Sequence, residues 1–272
     1  MSALHASAGP LAGRLIRRAA AATTVALASA AGLFLMTPSA DVPPALAAQL
    51  EHPAATPFGG TAAVGALFSD VRGKLKHFCT ASVVRSPAEN VLITAAHCIQ
   101  GRKLTPLGAV TFAPGYHDSR FPHGRWVVRA SFVDHMWRKD RDPNDDVAFL
   151  IAGRPGRHIQ KFTGGERLET SAKVPQKVEV IGYPDASDSP VTCTALARPW
   201  YRTGLRQLVF DCDGYTNGTS GGPFLSGVST STGEGKVIGV IGGYQEGGDS
   251  PNVSYSSRFL SAVKALYKTA TS

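Results

Sequence analysis

The sequence predicts an all-β protein of the barrel or sandwich kind, on three observations. Short apolar runs with strand character recur along most of the chain, separated by turn residues. Glycine (29) and proline (18) are abundant in the 272 residues, which suits many tight turns. The runs also fall into two sets of six, on either side of a segment at 153–175 that is rich in Gly, Pro and charge.

Taken in order, residues 1–47 read as an export signal. Arg14, Arg17 and Arg18 supply a basic start, Ala19 to Met36 is uncharged and mostly apolar, and Ala45-Leu46-Ala47 is a small-residue cleavage site, with Ala40 as the alternative. Residues 48–57, with Pro53 and Pro57, read as a short propeptide or flexible arm. The first set of runs (62–68, 78–84, 91–94, 110–113, 126–133 and 147–151) makes an N-terminal unit at 58–152. The second set (178–182, 191–197, 207–212, 223–225, 237–243 and 253–256) makes a C-terminal unit at 176–272, with 153–175 as linker. One helix is expected at 257–269. Phe259, Leu260, Val263, Leu266 and Tyr267 form an apolar stripe, read as packing on the second unit. No solenoid-type repeat occurs.

The formal charge is +8, and +6 once the export segment is removed. Arg120, Arg125, Arg129, Arg138, Lys139 and Arg141 spread that charge over a solvated face, and no nucleic-acid motif accompanies them. A protein or peptide partner is expected, with no nucleic acid and no stable membrane association after signal removal. The chain is expected to be a monomer. No cofactor or metal is expected: the loop aspartates lack EF-hand spacing, and the Cys and His residues lack paired ligand spacing.

The most informative stretch is Gly218-Thr219-Ser220-Gly221-Gly222-Pro223, which follows the apolar run Leu208-Val209-Phe210. A serine hydroxyl needs a base to become a nucleophile, and an acyl-transfer oxyanion needs preorganised donors. Gly218 can take the positive φ that aims backbone N–H groups at one point. The oxyanion hole is therefore assigned to the N–H groups of Gly218 and Ser220. A rival, Ser250 in Gly248-Asp249-Ser250-Pro251, is set aside because proline follows and no Gly-Gly is present.

The base is His97. The run Asn90-Val91-Leu92-Ile93-Thr94 leads into Ala95-Ala96-His97-Cys98, and an imidazole titrates near neutral pH. The orienting carboxylate is Asp146, which opens the apolar run Val147-Ala148-Phe149-Leu150-Ile151. A carboxylate there needs hydrogen-bond donors, and a histidine ring N–H is a suitable one. Asp145 would point to the other side of an extended chain. Asp134 and Asp142 read as solvated loop residues.

In the order His, Asp, Ser, with these local motifs, the chain resembles the chymotrypsin-like serine peptidases over residues 58–270, closer to bacterial secreted members and with some likeness to V8-like glutamyl endopeptidases. The resemblance implies two six-stranded antiparallel β-barrels with a C-terminal helix, and a cleft between them. It supports a Cys79–Cys98 disulfide. Cys193 and Cys212 lie on successive strand-like runs and make the other pair, although four cysteines allow three connectivities. Disulfides suit an exported, extracellular protein. Gly214, Tyr215, Gly242, Gly243 and Tyr244 are expected to bind substrate. The backbone at 242–244 would pair with an extended peptide, and Tyr244 would narrow the first pocket.

The chain also departs from the family's patterns. Thr219 stands where trypsin-like zymogens carry an aspartate, which implies no activation switch of that type. Gly214 stands where trypsin has its specificity aspartate, with Asp213 one step away. No histidine follows Ser220, whereas glutamyl endopeptidases use one there. The function expected is a secreted serine endopeptidase that works through an acyl-enzyme. A non-catalytic protease-like binding protein and an esterase with the same triad are the alternatives.

Overall fold

The computed structural model describes residues 52–102, 104 and 110–272, so the expected export signal and residues 48–51 lie outside the described residues. Its first strand, β1 (Thr56–Pro57), falls in the expected arm and pairs antiparallel with a strand of the second half. Pro53 and Pro57 read as loop because they lack N–H donors, but their carbonyls still accept. Pro53 O takes the Asp213 N–H at 2.7 Å, and the Ala55 N–H reaches Asp213 O at 2.7 Å. The arm is thus bonded along the start of the serine loop.

Six strands follow: β2 (Val64–Val71), β3 (Lys74–Val84), β4 (Val91–Thr94), β5 (Val110–Pro114), β6 (Trp126–Val133) and β7 (Ala148–Gly153). They close into an antiparallel barrel in the order β2-β3-β4-β7-β6-β5. β4 is buried at every residue, and its run of Val, Leu, Ile and Thr suits a strand enclosed on both faces. Between the strands lie helices α1 (Ala96–Ile99) and α2 (His135–Asp140), and a 3-10 turn at Pro143–Asp145. The side chains of Asp134 and Asp142, expected in solvent, cap α2 and that turn by accepting the N–H of Met136 and of Asn144.

The segment expected as a linker holds a short helix, α3 (Gln160–Thr163), and a strand, β8 (Arg167–Leu168). The remaining strands are β9 (Gln176–Gly182), β10 (Val191–Arg202), β11 (Leu205–Asp211), β12 (Pro223–Ser226), β13 (Lys236–Val240) and β14 (Val253–Ser257). They form one eight-stranded sheet, β14-β11-β10-β9-β12-β13-β8, with β1 on β10. This differs from the expected second six-stranded barrel. Where β13 meets β14, a side chain replaces the ladder: Ser256 Oγ accepts the Val240 N–H at 2.9 Å, and a single backbone bond, Gly242 N–H to Tyr255 O, follows.

The C-terminal helix α4 (Ser261–Thr271) starts four residues later than expected because Ser257 belongs to β14. It also packs on the first barrel, not the second. Phe259, Val263 and Ala270 belong to the first barrel's core, and Tyr267 meets Phe149 of β7 edge-on at 5.5 Å. The Tyr267 hydroxyl donates to Arg85 O.

Glu166 lies at the seam between the halves and is fully buried. Its backbone bonds Val83 and Arg85 at the end of β3, and its Oε2 accepts the Gly235 N–H. Among the described residues its Oε1 has no partner. Burial, chiefly, pushes this carboxyl up to about 8. The Gly235 N–H works against the shift, as does Arg85, while Glu234 and Glu179 add to it.

Candidate active site

His97 sits in α1, the four-residue turn reached directly from β4. Ala95 and Ala96, which lead into it, are fully buried. The Cys79–Cys98 disulfide ties α1 back to β3, and a second disulfide joins Cys193 to Cys212, so both expected pairings are present.

Asp146 follows the 3-10 turn, just ahead of β7, and has no exposed surface. Three donors converge on its carboxylate. Oδ1 accepts the His97 backbone N–H at 2.9 Å; Oδ2 accepts His97 Nδ1–H at 2.7 Å and the Gly243 N–H at 2.7 Å. With Nδ1–H donating to the carboxylate, Nε2 is left as the basic nitrogen of the neutral ring. Burial is the largest influence on His97 and opposes its charging. The charge and hydrogen bond of Asp146, with a contribution from Glu246, overcome it and raise the ring above the ordinary imidazole value. Among the described residues Asp145, the competitor, forms no hydrogen bond or ion pair with the ring; burial, then Asp134 and Asp142, push it up to about 6.

The serine loop is clasped by the first barrel through Thr80 of β3. The Thr80 N–H donates to Ser220 O at 2.7 Å, and Thr80 Oγ1 donates to Gly218 O at 3.0 Å while accepting the Tyr183 N–H at 2.9 Å. Gly218 has φ 92°, and a Cβ there would stand 2.5 Å from Asp185 N and Tyr183 O, so only glycine fits. Gly221, at φ 81°, is as constrained: its Cβ would lie 2.1 Å from Thr94 Oγ1. Among the described residues, no protein acceptor takes the N–H of Gly218 or of Ser220. Two free donors, one on the serine itself and one two residues before it, are what an oxyanion site needs. Among the described residues, no hydrogen bond joins Ser220 Oγ to His97; catalytic contacts of this kind often tighten only with substrate bound. Thr219 is buried and closes its own turn by donating to Thr216 O at 2.7 Å.

A cavity of about 360 Å³ opens beside Ser220. A larger one, about 660 Å³, lies among α1, α2 and α4 and touches neither Ser220 nor the His97 ring. Of the five residues expected to bind substrate, Tyr215 lines the smaller cavity, with its hydroxyl donating to Val180 O. The other four do not line it. Gly214 packs against Ala55 of the bonded arm. Gly242 N–H goes to Tyr255 O, Gly243 N–H to Asp146 and Tyr244 N–H to Gln207 Oε1. The Tyr244 ring meets Trp200 at a tilt and Tyr255 edge-on, and its hydroxyl meets Arg202.

Sequence reasoning missed Gln245, Glu246 and Asp249, which do line the cavity, together with Ser250, set aside as a nucleophile. Gln245 and Glu246 both take left-handed conformations, φ 51° and 55°, which no residue type in this stretch signals. Cys79, Cys98 and His97 lie close enough to suggest a metal group. The two sulfurs are bonded to each other and Nδ1 is engaged by Asp146, so the donor set does not fit a metal.

The family described as Trypsin matches residues 60–264. Among curated proteins, an extracellular metalloprotease of Bacillus subtilis (strain 168) is 27% identical over 107 residues, 39% of this chain; the match spans 33% of that relative's length. Among solved structures, the protease Anisep from Arthrobacter nicotinovorans superposes with a TM-score of 0.67 at 22% identity, covering 80% of this chain and 99% of that one. A thermostable serine protease, AL20, from an extremophilic microorganism gives 0.65 at 23%, covering 78% and 97%.

Proposed function

The chain belongs to the trypsin family, and on that premise we propose that it is an exported serine endopeptidase acting through His97, Asp146 and Ser220. His97 Nε2 takes the proton of Ser220 Oγ as that oxygen attacks the carbonyl carbon of the scissile bond. The tetrahedral intermediate places its negative oxygen at the N–H groups of Gly218 and Ser220. The intermediate collapses, the C–N bond breaks and the imidazolium gives its proton to the leaving amine. Water, deprotonated by the same ring, then attacks the acyl-enzyme, and Ser220 regains its proton. Asp146 holds the imidazole in one tautomer throughout and stabilises its charged form.

The observation that carries this reading is the grip of Asp146 on His97. One fully buried carboxylate fixes both the backbone and the ring of the histidine, at 2.9 and 2.7 Å. The two disulfides support action outside the cell. The name of the Bacillus relative suggests a metal-dependent alternative, but the cysteine and histidine donors beside this site do not support it.

The test is covalent labelling with a fluorophosphonate, followed by peptide mapping. The expected adduct is on Ser220, and both Ser220→Ala and His97→Ala abolish labelling and casein hydrolysis. Labelling that persists in Ser220→Ala refutes the assignment.

A further inference from the structure

The cavity of about 660 Å³ among α1, α2 and α4 joins a cationic rim to an apolar floor. Arg102, Arg138 and Arg141 stand in its wall, and among the described residues none of them is in a salt bridge. Trp137, 4% exposed, stands there too, and its indole N–H has no acceptor among the described residues. We propose that this cavity binds a carboxylate carried on an apolar chain, such as a medium-chain fatty acid. The arginines and the Trp137 N–H take the head, and the floor takes the chain. The site lies apart from Ser220 and the His97 ring, so it does not rest on Ser220 being the nucleophile.

The orphaned indole is the observation that asks for a ligand. A buried N–H without an acceptor is costly, and an indole nitrogen can only donate. An acceptor in the cavity would relieve it. The charges beside it say which acceptor. The Arg141 guanidinium lies over the Trp137 ring, 5.6 Å from its centroid, so a cation and the free donor occupy the same wall. Arg102 is held in place, with Nε donating to Cys98 O at 2.8 Å and its guanidinium 3.4 Å from the centroid of the Phe78 ring. A guanidinium fork matches a carboxylate in plane and spacing. Among the described residues the one acid in the wall is Asp134, whose side chain already accepts the Met136 N–H at the start of α2. The floor says what the carboxylate rides on. Ile99, Phe132, Val133 and Leu266 present hydrocarbon, which a bare inorganic anion would leave wet. The volume falls within the range of small-molecule sites. Ala96 and Ile99 are also part of α1, so the chain would rest against the turn that carries His97.

The experiment is calorimetric titration of the protein carrying Ser220→Ala, which prevents self-digestion and leaves the cavity wall intact. The probes are decanoate, decanol, decylammonium and acetate. Decanoate should bind at one site, about tenfold or more tighter than decanol, and decylammonium and acetate should not bind measurably. Arg138 and Arg141 are exposed, so each contributes up to about fivefold, and Arg138→Gln with Arg141→Gln should weaken decanoate about tenfold. Raised salt should weaken it further in the parent than in that double variant. Trp137→Phe keeps the aromatic floor, removes the donor and should cost about tenfold. Thr269→Trp fills the cavity from the exposed side of α4 and should abolish binding without disturbing the core. Equal affinity for decanol and decanoate overturns the role of the arginines and with it the proposal. Decanoate binding that survives both Thr269→Trp and the double arginine variant places the ligand elsewhere and overturns it, as does the absence of saturable decanoate binding in the parent. Fluorophosphonate labelling of the protein with Ser220 intact is a separate readout, so failure of the nucleophile reading is told apart from failure of this one.

Discussion

Replacing Glu166 with glutamine should change how stability depends on pH, and the size of the change follows from the burial of that carboxyl. Its folded value is pushed up to about 8, against an ordinary 4.5 in the unfolded chain. The folded state therefore holds a proton that the unfolded chain releases between those two values. Below pH 4.5 the group is neutral in both states and costs nothing by titration. As pH rises through the window, each pH step favours unfolding by about 1.4 kcal/mol, until the folded group also ionises near pH 8. From pH 5 to pH 7 the loss is on the order of 3 kcal/mol, a large part of the stability of a typical domain. Glutamine retains an acceptor for the Gly235 N–H and does not titrate. The assay is urea unfolding at pH 5, 6 and 7, with Ser220→Ala in both proteins to prevent self-digestion. The Glu166 protein should lose about 3 kcal/mol relative to the glutamine variant between pH 5 and 7. Parallel pH profiles for the two proteins would refute the assignment of a neutral buried carboxyl at the seam.

Three further outcomes are expected. Thr80→Val removes the hydroxyl that donates to Gly218 O and accepts from Tyr183 N–H; leaving those buried groups unpaired should cost roughly 2–5 kcal/mol in urea unfolding. Hydrolysis of a small ester substrate should fall as His97 protonates on acidification, with a midpoint above the ordinary 6.5 because the ring is raised; a midpoint well below 6.5 contradicts the Asp146 contact. Replacing Cys79 and Cys98 together by serine opens a loop of 19 residues, and should destabilise by about 3 kcal/mol, read as a lowered Tm under non-reducing conditions.

What the sequence made legible was local. β4 and β6 occupy the expected ranges: β4 is a continuous apolar, β-branched run that specifies an enclosed strand, and β6 is rich in valine and aromatic residues. The pairing of Asp146 with His97 was readable because each sits in a short motif beside an apolar run, and the structure joins them at 2.7 Å. Contacts set by distant chain were not readable. β1 and β8 are two-residue strands held by backbone pairing, with no periodicity to reveal them. The stripe of α4 shows that the helix is amphipathic, but Phe149 and the Arg85 carbonyl decide which barrel it joins. Asp146 and Gln207, which take the N–H groups of Gly243 and Tyr244, are remote in sequence and could not be read as partners of that stretch. Glu246 drew no reading in the sequence, since the cavity it lines beside Ser220 is assembled only in three dimensions.

The Thr80 clasp also bears on how the molecule comes apart. The second sheet has an apolar cluster of its own, around Val180, Phe210 and Phe224, and so has the means to melt separately. Three hydrogen bonds from one threonine cross from the first barrel to Tyr183, Gly218 and Ser220. Melting of either half strands buried polar atoms in the other, which couples the two cores into one cooperative unit. The serine loop hangs on that coupling, so with Ser220 as the proposed nucleophile activity should be lost at the first loss of cooperativity. Partly unfolded copies of the chain would then be substrates for intact neighbours without being active themselves.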